Sequence, residues 1–271
     1  MIIDFHTHCF PDDLAPRAMS RLSQNSGMPY YHDGTLRGLK ESSKIAGIDI
    51  CVVLPIATKP QQTMTINRWA LSVMEENNDI ICFGTVHPEF DMWEEEIRWL
   101  KENGFAGIKF HPDYQDFFVD DKKMYPIYDA IAKNDMIILF HSGVDPAYMP
   151  PYHCTPERLQ RVLKDFSGAK IVAAHMGGYR FFDETLECLI GKDVYLDTSF
   201  FFGEVQIQNF EEIFRKHGID KILFATDSPW KDQKREVEYV NSLRLSEEEK
   251  EKILWKNAQQ LLKVKIVHRT N

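Results

Sequence analysis

Several features that mark membrane, secreted or nucleic-acid-binding proteins are missing from this sequence of 271 residues. It contains no run of about 18 apolar residues, so we expect no transmembrane helix. Its N-terminus lacks a basic segment followed by an apolar stretch and a cleavage site, which predicts a cytoplasmic protein without a secretory signal. The formal net charge is −9, and no basic block occurs along the chain. Nucleic acid and anionic membranes are therefore not expected as partners.

Cysteines are few, and they follow no metal-binding or redox spacing. The five are Cys9, Cys51, Cys82, Cys154 and Cys188. Their number is odd and none forms a Cys-x-x-Cys pair, so we expect reduced thiols rather than disulfides.

Eight short apolar runs recur along the chain, each followed by a turn and a helical pattern. The runs are Ile2–Phe5, Ile50–Leu54, Ile80–Val86, Ala106–Phe110, Met136–Phe140, Lys170–Ala174, Val194–Leu196 and Ile222–Ala225. Most are nearly continuous rather than alternating, as is typical of parallel strands covered on both faces. Eight such units predict an α/β protein that folds as one (β/α)8 TIM barrel, a single domain over residues 1–271. The alternative is an open doubly wound sheet, but no glycine-rich phosphate loop follows the first run.

Two helix starts are marked by capping residues. Thr155 places a capping hydroxyl before Pro156 at the first helical position. Ser246 and Glu249 have the spacing of a capping box. Both patterns predict helices that begin at these residues.

The first apolar run leads into His6-Thr7-His8. Side chains two residues apart in a strand point to the same face, so these two imidazoles form half of a metal site. Ionisable residues also follow the fifth, sixth and eighth runs, at His141, His175 and Asp227. The C-terminal ends of barrel strands meet at one face, and burying many polar groups there costs free energy unless they are paired or bind a cation. The pattern therefore predicts a metal site formed by these residues.

At these positions the chain resembles the amidohydrolase superfamily, and in particular the amidohydrolase 2 branch that includes aminocarboxymuconate-semialdehyde decarboxylase. The matching segments are Asp4–His8, Gly107–Pro112, Leu139–Gly143, Ala174–Gly178 and Thr226–Trp230, with Asn257–Ala258 in the final helix. They span nearly the whole chain in order, so the resemblance is specific for the superfamily and not for a substrate.

The resemblance implies a role for each of these residues. His6, His8 and His141 would be metal ligands. Asp227 would complete the coordination and help to hold or deprotonate a metal-bound water, and His175 would be the acid/base group that orients this water or polarises the substrate. Such a ligand set suits one Zn²⁺ per chain with an open position for water, whose pKa the metal lowers towards about 7. Mn²⁺ and Fe²⁺ accept the same types of ligand.

Lys109, in the fourth run, has more than one candidate role. Some relatives carbamylate a lysine on this strand, which then bridges two metals. Otherwise Lys109 is a cation that pairs with Asp227 or binds a substrate carboxylate.

Four further residues are candidate substrate contacts, with a structural role in their loops as the alternative: His87, His111, Arg180 and Trp230.

These features predict a metal-dependent hydrolase that attacks an ester, lactone or amide of a small polar, carboxylate-bearing molecule. The alternative at the same site is non-oxidative decarboxylation, in which His175 and a metal-bound water protonate the carbon after CO₂ leaves. A TatD-like nuclease is disfavoured, because those sites have a glutamate where this chain has Lys109. A non-catalytic metal-binding barrel is the remaining alternative.

Two aromatic segments, Tyr30–Tyr31 and Phe200–Phe202, either pack a homodimer or line the site.

Overall fold

Short parallel strands alternate with helices in the computed structural model, which describes residues 1–203 and 210–263. The strands are β1 (Ile3–Thr7), β2 (Ile50–Val53), β3 (Ile80–Cys82), β4 (Gly84–Thr85), β5 (Gly107–Phe110), β6 (Ile137–Phe140), β7 (Ile171–Ala173), β8 (Tyr195–Asp197) and β9 (Ile222–Leu223). The helices are α1 (Ala15–Ser26), α2 (Leu36–Ala46), α3 (Thr63–Glu76), α4 (Trp93–Glu102), α5 (Tyr125–Lys133), α6 (Pro156–Asp165), α7 (Phe182–Cys188), α8 (Phe210–His217), α9 (Gln233–Ser242), α10 (Glu247–Glu251) and α11 (Asn257–Leu262). A π-helical turn, Lys252–Lys256, joins α10 to α11.

The third predicted strand is divided at Phe83. Its first part, β3, pairs with β2, and its second part, β4, pairs with β5. The Phe83 N–H donates to the Val53 carbonyl at 2.9 Å, so the chain keeps its place between the neighbouring strands. The continuous strand predicted over Ile80–Val86 is therefore wrong in detail, while its position in the barrel is correct.

The two sheets close into one barrel between β9 and β1. The Phe5 N–H donates to the Phe224 carbonyl at 2.9 Å, and the Asp227 N–H donates to the His6 carbonyl at 2.8 Å. Beyond the strand ends, the His8 N–H donates to the Ser228 carbonyl at 2.6 Å. The predicted (β/α)8 barrel is confirmed, and its closure places His6 beside Asp227.

The core has two main layers of buried apolar side chains. The smaller cluster takes residues from nearly every strand, among them Phe5, Leu139 and Val172, as the interior of a closed barrel does. Ala258 and Leu261 of α11 pack against this interior. The larger cluster lies between the strands and the surrounding helices.

Both predicted helix starts are confirmed. The Thr155 hydroxyl accepts from the Arg158 N–H at the start of α6. The Ser246 hydroxyl accepts from the Glu249 N–H, and the Glu249 carboxylate accepts from the Ser246 N–H, which completes the capping box of α10.

Of the two aromatic segments, one is exposed and one is buried. Tyr30 and Tyr31 lie at the surface, whereas Phe200–Phe202 are almost completely covered. The second segment therefore packs within this chain, where Phe200 lines a cavity. Across residues 1–203 and 210–263, no helix is long and apolar enough to cross a membrane. The five cysteines are free thiols.

Candidate metal centre

Three ligand atoms converge where β1 and the segment after β9 meet. His6 Nε2 and His8 Nε2 are 3.2 Å apart, so the two imidazoles converge as their spacing predicts. Asp227 Oδ1 lies 2.9 Å from His8 Nε2 and 3.4 Å from His6 Nε2. The three atoms therefore form a nearly equilateral triangle of good metal ligands.

The triangle has the dimensions of a metal site. Ligand atoms at about 2.0–2.2 Å from a shared ion lie about 3.0–3.5 Å from each other. Although burial alone raises the pKa of Asp227, the His6 and His8 imidazoles hold that pKa well below its usual range, so the carboxylate is ionised. Burial, with the nearby Lys109 ammonium, lowers the pKa of His6 to about 4, so His6 is a neutral imidazole near pH 7.

Two buried atoms in this region have no hydrogen-bond partner among the described residues. They are His141 Nε2 and Asp227 Oδ1, the second of which has only the imidazoles of His6 and His8 close to it. A buried polar atom without a partner is costly. A divalent cation held by the triangle would satisfy Asp227 Oδ1, so His6, His8 and Asp227 fit the metal that the sequence predicts.

His141 and His175 lie next to this triangle. His141 Nδ1 is 3.0 Å from His175 Nε2, and both side chains are buried. The His141 ring stacks on His111, with centroids 4.0 Å apart. One ligand atom each of His141, His111 and Asp145 lie within 4.8 Å of one another. The ligand atoms of His6, His8 and Asp227 form a separate set of this kind. The structure thus brings all the predicted ligands to one region but places His141 at its edge.

Lys109 is buried, and its ammonium touches a predicted ligand. Lys109 Nζ lies 3.2 Å from His6 Nε2. Burial lowers the pKa of Lys109 to about 8, while Asp227 and Asp197 oppose that shift. Lys109 is therefore mostly charged at neutral pH.

Sequence reasoning missed Asp197 and Ser199. The Asp197 carboxylate, at the end of β8, lies 2.9 Å from His6 Nδ1 and is completely buried. Although burial alone raises the pKa of Asp197, His6 first, then His175 and Ser199, hold it at about 2. The signal was present, because Asp197 directly follows the apolar run Val194–Leu196 at a strand end.

The candidate substrate contacts separate into two groups. His111 and Trp230 line the cavity above the triangle, and His111 Nε2 is 3.1 Å from Asp145 Oδ2. His87 and Arg180 do not line it. His87 instead accepts from the Glu89 N–H through Nδ1, in the manner of a loop-structuring residue.

The cavity has a volume of about 510 Å³ and opens from the C-terminal ends of the strands. Its floor carries the triangle with Lys109, His141 and His175. Its walls are mainly apolar, and their large side chains are Phe10, Leu14, Leu22, Met28, Leu54, Ile56, Ile66, Trp69, Val144, Tyr179, Phe200 and Trp230. This arrangement can hold an anionic group at the floor and an apolar body above it.

Solved structures with the same fold are numerous. An uncharacterised TIM-barrel protein from Bordetella bronchiseptica superposes with a TM-score of 0.78 at 20% identity, covering 97% of this chain and 98% of that chain. A 5-carboxyvanillate decarboxylase from Novosphingobium aromaticivorans, with bound manganese and 3-methoxy-4-hydroxy-5-nitrobenzoic acid, has a TM-score of 0.71 at 16% identity, with 97% of each chain covered. A 2,6-dihydroxybenzoate decarboxylase from Rhizobium has a TM-score of 0.69 at 15% identity, covering 97% of this chain and 98% of that chain.

No curated protein matches the sequence significantly. The family model described as amidohydrolase matches residues 3–264, which is nearly the whole length of the chain. With the barrel and its histidine–aspartate centre, this match shows that the chain belongs to the amidohydrolase family.

Proposed function

We propose that this protein is a metal-dependent, non-oxidative decarboxylase of a small carboxylic acid with an apolar, ring-sized body. The proposal rests on the difference between the polar floor and the apolar walls of the cavity. A floor that carries the Lys109 ammonium and would hold a divalent ion suits a carboxylate and its neighbouring oxygen, and the apolar walls suit an aromatic or similar ring. A small polar substrate, as favoured by the sequence, would leave those walls without contacts.

We assign metal binding to His6, His8, His141 and Asp227. When bound, a divalent ion would polarise substrate oxygens and stabilise negative charge that develops on them. Mn²⁺ and Zn²⁺ both accept imidazole and carboxylate ligands, and the manganese in the Novosphingobium enzyme supports testing Mn²⁺ first.

The remaining residues of the floor supply charge and a proton path. Decarboxylation breaks the bond between the carboxylate carbon and the ring, and the electron pair stays on the ring carbon. The Lys109 ammonium, 3.2 Å from His6 Nε2, would stabilise the negative charge that results. We assign to His175 the relay of the proton that the ring carbon takes up from solvent as CO₂ leaves. One proton is consumed for each CO₂ released, and no oxidant is needed.

The comparisons favour this reaction over hydrolysis. Two of the similar solved structures are decarboxylases of aromatic acids, and both share the fold over nearly their full length. Hydrolysis by the same centre is the competing reaction.

The test is a paired assay of metal-stripped and metal-reconstituted protein. The stripped protein is reloaded with Mn²⁺ or Zn²⁺ and given hydroxylated benzoates, including 2,6-dihydroxybenzoate and 5-carboxyvanillate, and in parallel a panel of aryl esters and lactones. We expect CO₂ release that requires metal, with little turnover of the esters. The His8→Ala variant should lose it, whereas His32→Ala, a histidine that does not line the cavity, should retain it.

Metal-dependent hydrolysis of esters or lactones without CO₂ release would refute the proposed decarboxylase and show that the protein is a hydrolase. Turnover that is unaffected by chelation and by His8→Ala would refute both.

A further inference from the structure

One carboxylate fixes the proton positions of several imidazoles at the cavity floor. Asp197 Oδ1 lies 2.9 Å from the His175 backbone nitrogen and 3.1 Å from the Ser199 backbone nitrogen. A backbone N–H can only donate, so this oxygen is an acceptor. The other oxygen, Oδ2, lies 2.9 Å from His6 Nδ1. Because a carboxylate only accepts, His6 must carry its proton on Nδ1, which leaves a lone pair on Nε2.

The position of Lys109 gives an independent check on this assignment. Its ammonium can only donate, and it lies 3.2 Å from His6 Nε2. That contact is a hydrogen bond only if Nε2 carries a lone pair, as Asp197 requires.

The same carboxylate acts on His175 through the Ser199 hydroxyl. Ser199 Oγ lies 2.5 Å from Asp197 Oδ1, so its single proton is donated to the carboxylate. The oxygen can then only accept from His175 Nδ1, at 2.8 Å. The contact of Ser199 Oγ with His6 Nδ1 is longer, at 3.5 Å. Neutral His175 therefore carries its proton on Nδ1 and a lone pair on Nε2.

His141 is the last member of the chain of hydrogen bonds. Its Nδ1 is 3.0 Å from His175 Nε2, and since that atom is an acceptor, His141 Nδ1 must donate. The lone pair of neutral His141 is then on Nε2, the buried atom that has no partner among the described residues. Asp197 thus determines the free nitrogen of three imidazoles: that of His6 directly, that of His175 through Ser199, and that of His141 through Ser199 and His175.

We propose that Asp197 and Ser199, which do not line the cavity, are positioning residues that hold His6 and His141 as Nδ1–H tautomers, with both Nε2 lone pairs available to a metal. The tautomer of a metal-binding histidine is set by the bond that its other nitrogen makes, and loss of such a partner typically weakens binding about 10–100-fold. The consequence for metal binding rests on the proposed function, whereas the tautomers themselves do not.

The direct test is imidazole ¹⁵N NMR of the metal-free protein, with assignments from His→Gln variants. We expect Nδ1–H and an unprotonated Nε2 for both His6 and His141. In Ser199→Ala, His6 should keep its tautomer because Asp197 remains. His141 and His175 should each become a mixture of the Nδ1–H and Nε2–H tautomers. Ser199→Thr keeps the hydroxyl and should restore the wild-type pattern. Ser142→Ala removes another fully buried hydroxyl, next to His141, and should change nothing.

The second measurement is the affinity for Mn²⁺, obtained by titrating the metal-free protein with Mn²⁺ alone. Ser199→Ala should bind Mn²⁺ about tenfold more weakly than wild type, and Ser142→Ala should bind it equally well. An Nε2–H tautomer at His6 or His141 in the wild type, or unchanged Mn²⁺ affinity in Ser199→Ala, would overturn the inference. The two proposals fail separately, because a protein with these tautomers that releases no CO₂ would refute only the decarboxylase.

Discussion

Lys109 Nζ lies 3.2 Å from His6 Nε2, so a buried ammonium faces the nitrogen that we assign to the metal. Two cations near one ligand repel each other, most strongly where water is excluded. The ammonium and a divalent ion therefore share the floor only if substrate or ligand anions lie between them. The effect of Lys109 on metal binding therefore tests whether it is a substrate-binding cation or a carbamylated bridge between two metals.

We predict that Lys109→Met binds Mn²⁺ at least as tightly as wild type, with one ion per chain, because a repulsive charge is removed. Its kcat should fall about 100-fold, since a group that stabilises developing negative charge is lost. Metal analysis and steady-state kinetics measure the two effects. Lys101→Met, an exposed lysine of α4, is the control. Fewer bound metals in Lys109→Met, together with bicarbonate-dependent activation of the wild type, would favour the carbamylated bridge.

His141 and His175 should respond differently to truncation. His141→Ala should lose most metal binding and all turnover, because it removes a ligand. His175→Ala should retain metal, weakened by no more than about 100-fold, and lose turnover by about 10²–10⁴-fold, as is usual for a proton-transfer group. Metal content after gel filtration separates the two variants. If His175→Ala is the one that emerges without metal, the roles are exchanged.

The substrate should contact the apolar wall. Trp230→Ala is expected to raise KM about tenfold, the equivalent of about 1.4 kcal/mol, with a smaller effect on kcat, because we expect the indole to pack against the substrate ring and not against the carboxylate at the floor. Arg180→Ala should leave KM unchanged, since Arg180 does not line the cavity. Steady-state kinetics with the best benzoate gives both values. A large rise in KM for Arg180→Ala alone would place the substrate outside this cavity.

Glu236 should destabilise the protein as the pH rises. Burial raises the pKa of Glu236 from 4.5 to about 8, and nearby Asp4 adds to this while Lys231 opposes it. Folding therefore favours the neutral carboxyl, and its contribution to stability is present below pH 4.5 and is lost progressively as the pH rises towards about 8.

Glu236→Gln removes this titration while keeping the shape of the side chain. We predict that it melts at a higher temperature than wild type at pH 8, with a difference that shrinks at pH 5. Glu238→Gln, at an exposed position of the same helix, should show no such dependence. Thermal melts at the two pH values measure this, and a stabilisation that is larger at pH 5 would contradict the assignment.

Much of the site follows from local sequence signals because a barrel gathers the C-terminal ends of its strands at one face. His6, His8, His141, His175 and Asp227 all lie within three residues of the end of an apolar run, so the fold alone brings them to one region. Asp197 obeys the same rule and could have been found. The division of the third strand at Phe83 could not have been found from the sequence, because all of Ile80–Val86 is suited to a strand. The division arises because the first part of this segment pairs with β2 and the second part pairs with β5.

Other features depend on tertiary contacts between loops. Asp145 lies in the segment between β6 and α6, and nothing in its local sequence indicates that it meets His111 at 3.1 Å. The apolar walls draw on α1, α3 and several loops, so the character of the cavity emerges only in the folded chain. This is why the sequence favoured a small polar substrate, whereas the cavity supports one with an apolar body.

The most direct test of the metal centre is an anomalous-scattering map from crystals of the protein loaded with Zn²⁺. We predict one peak about 2.0–2.3 Å from His6 Nε2, His8 Nε2, His141 Nε2 and Asp227 Oδ1. A peak among His111, Asp145 and His141 instead, or no peak near His6 and His8 at saturating metal, would contradict it.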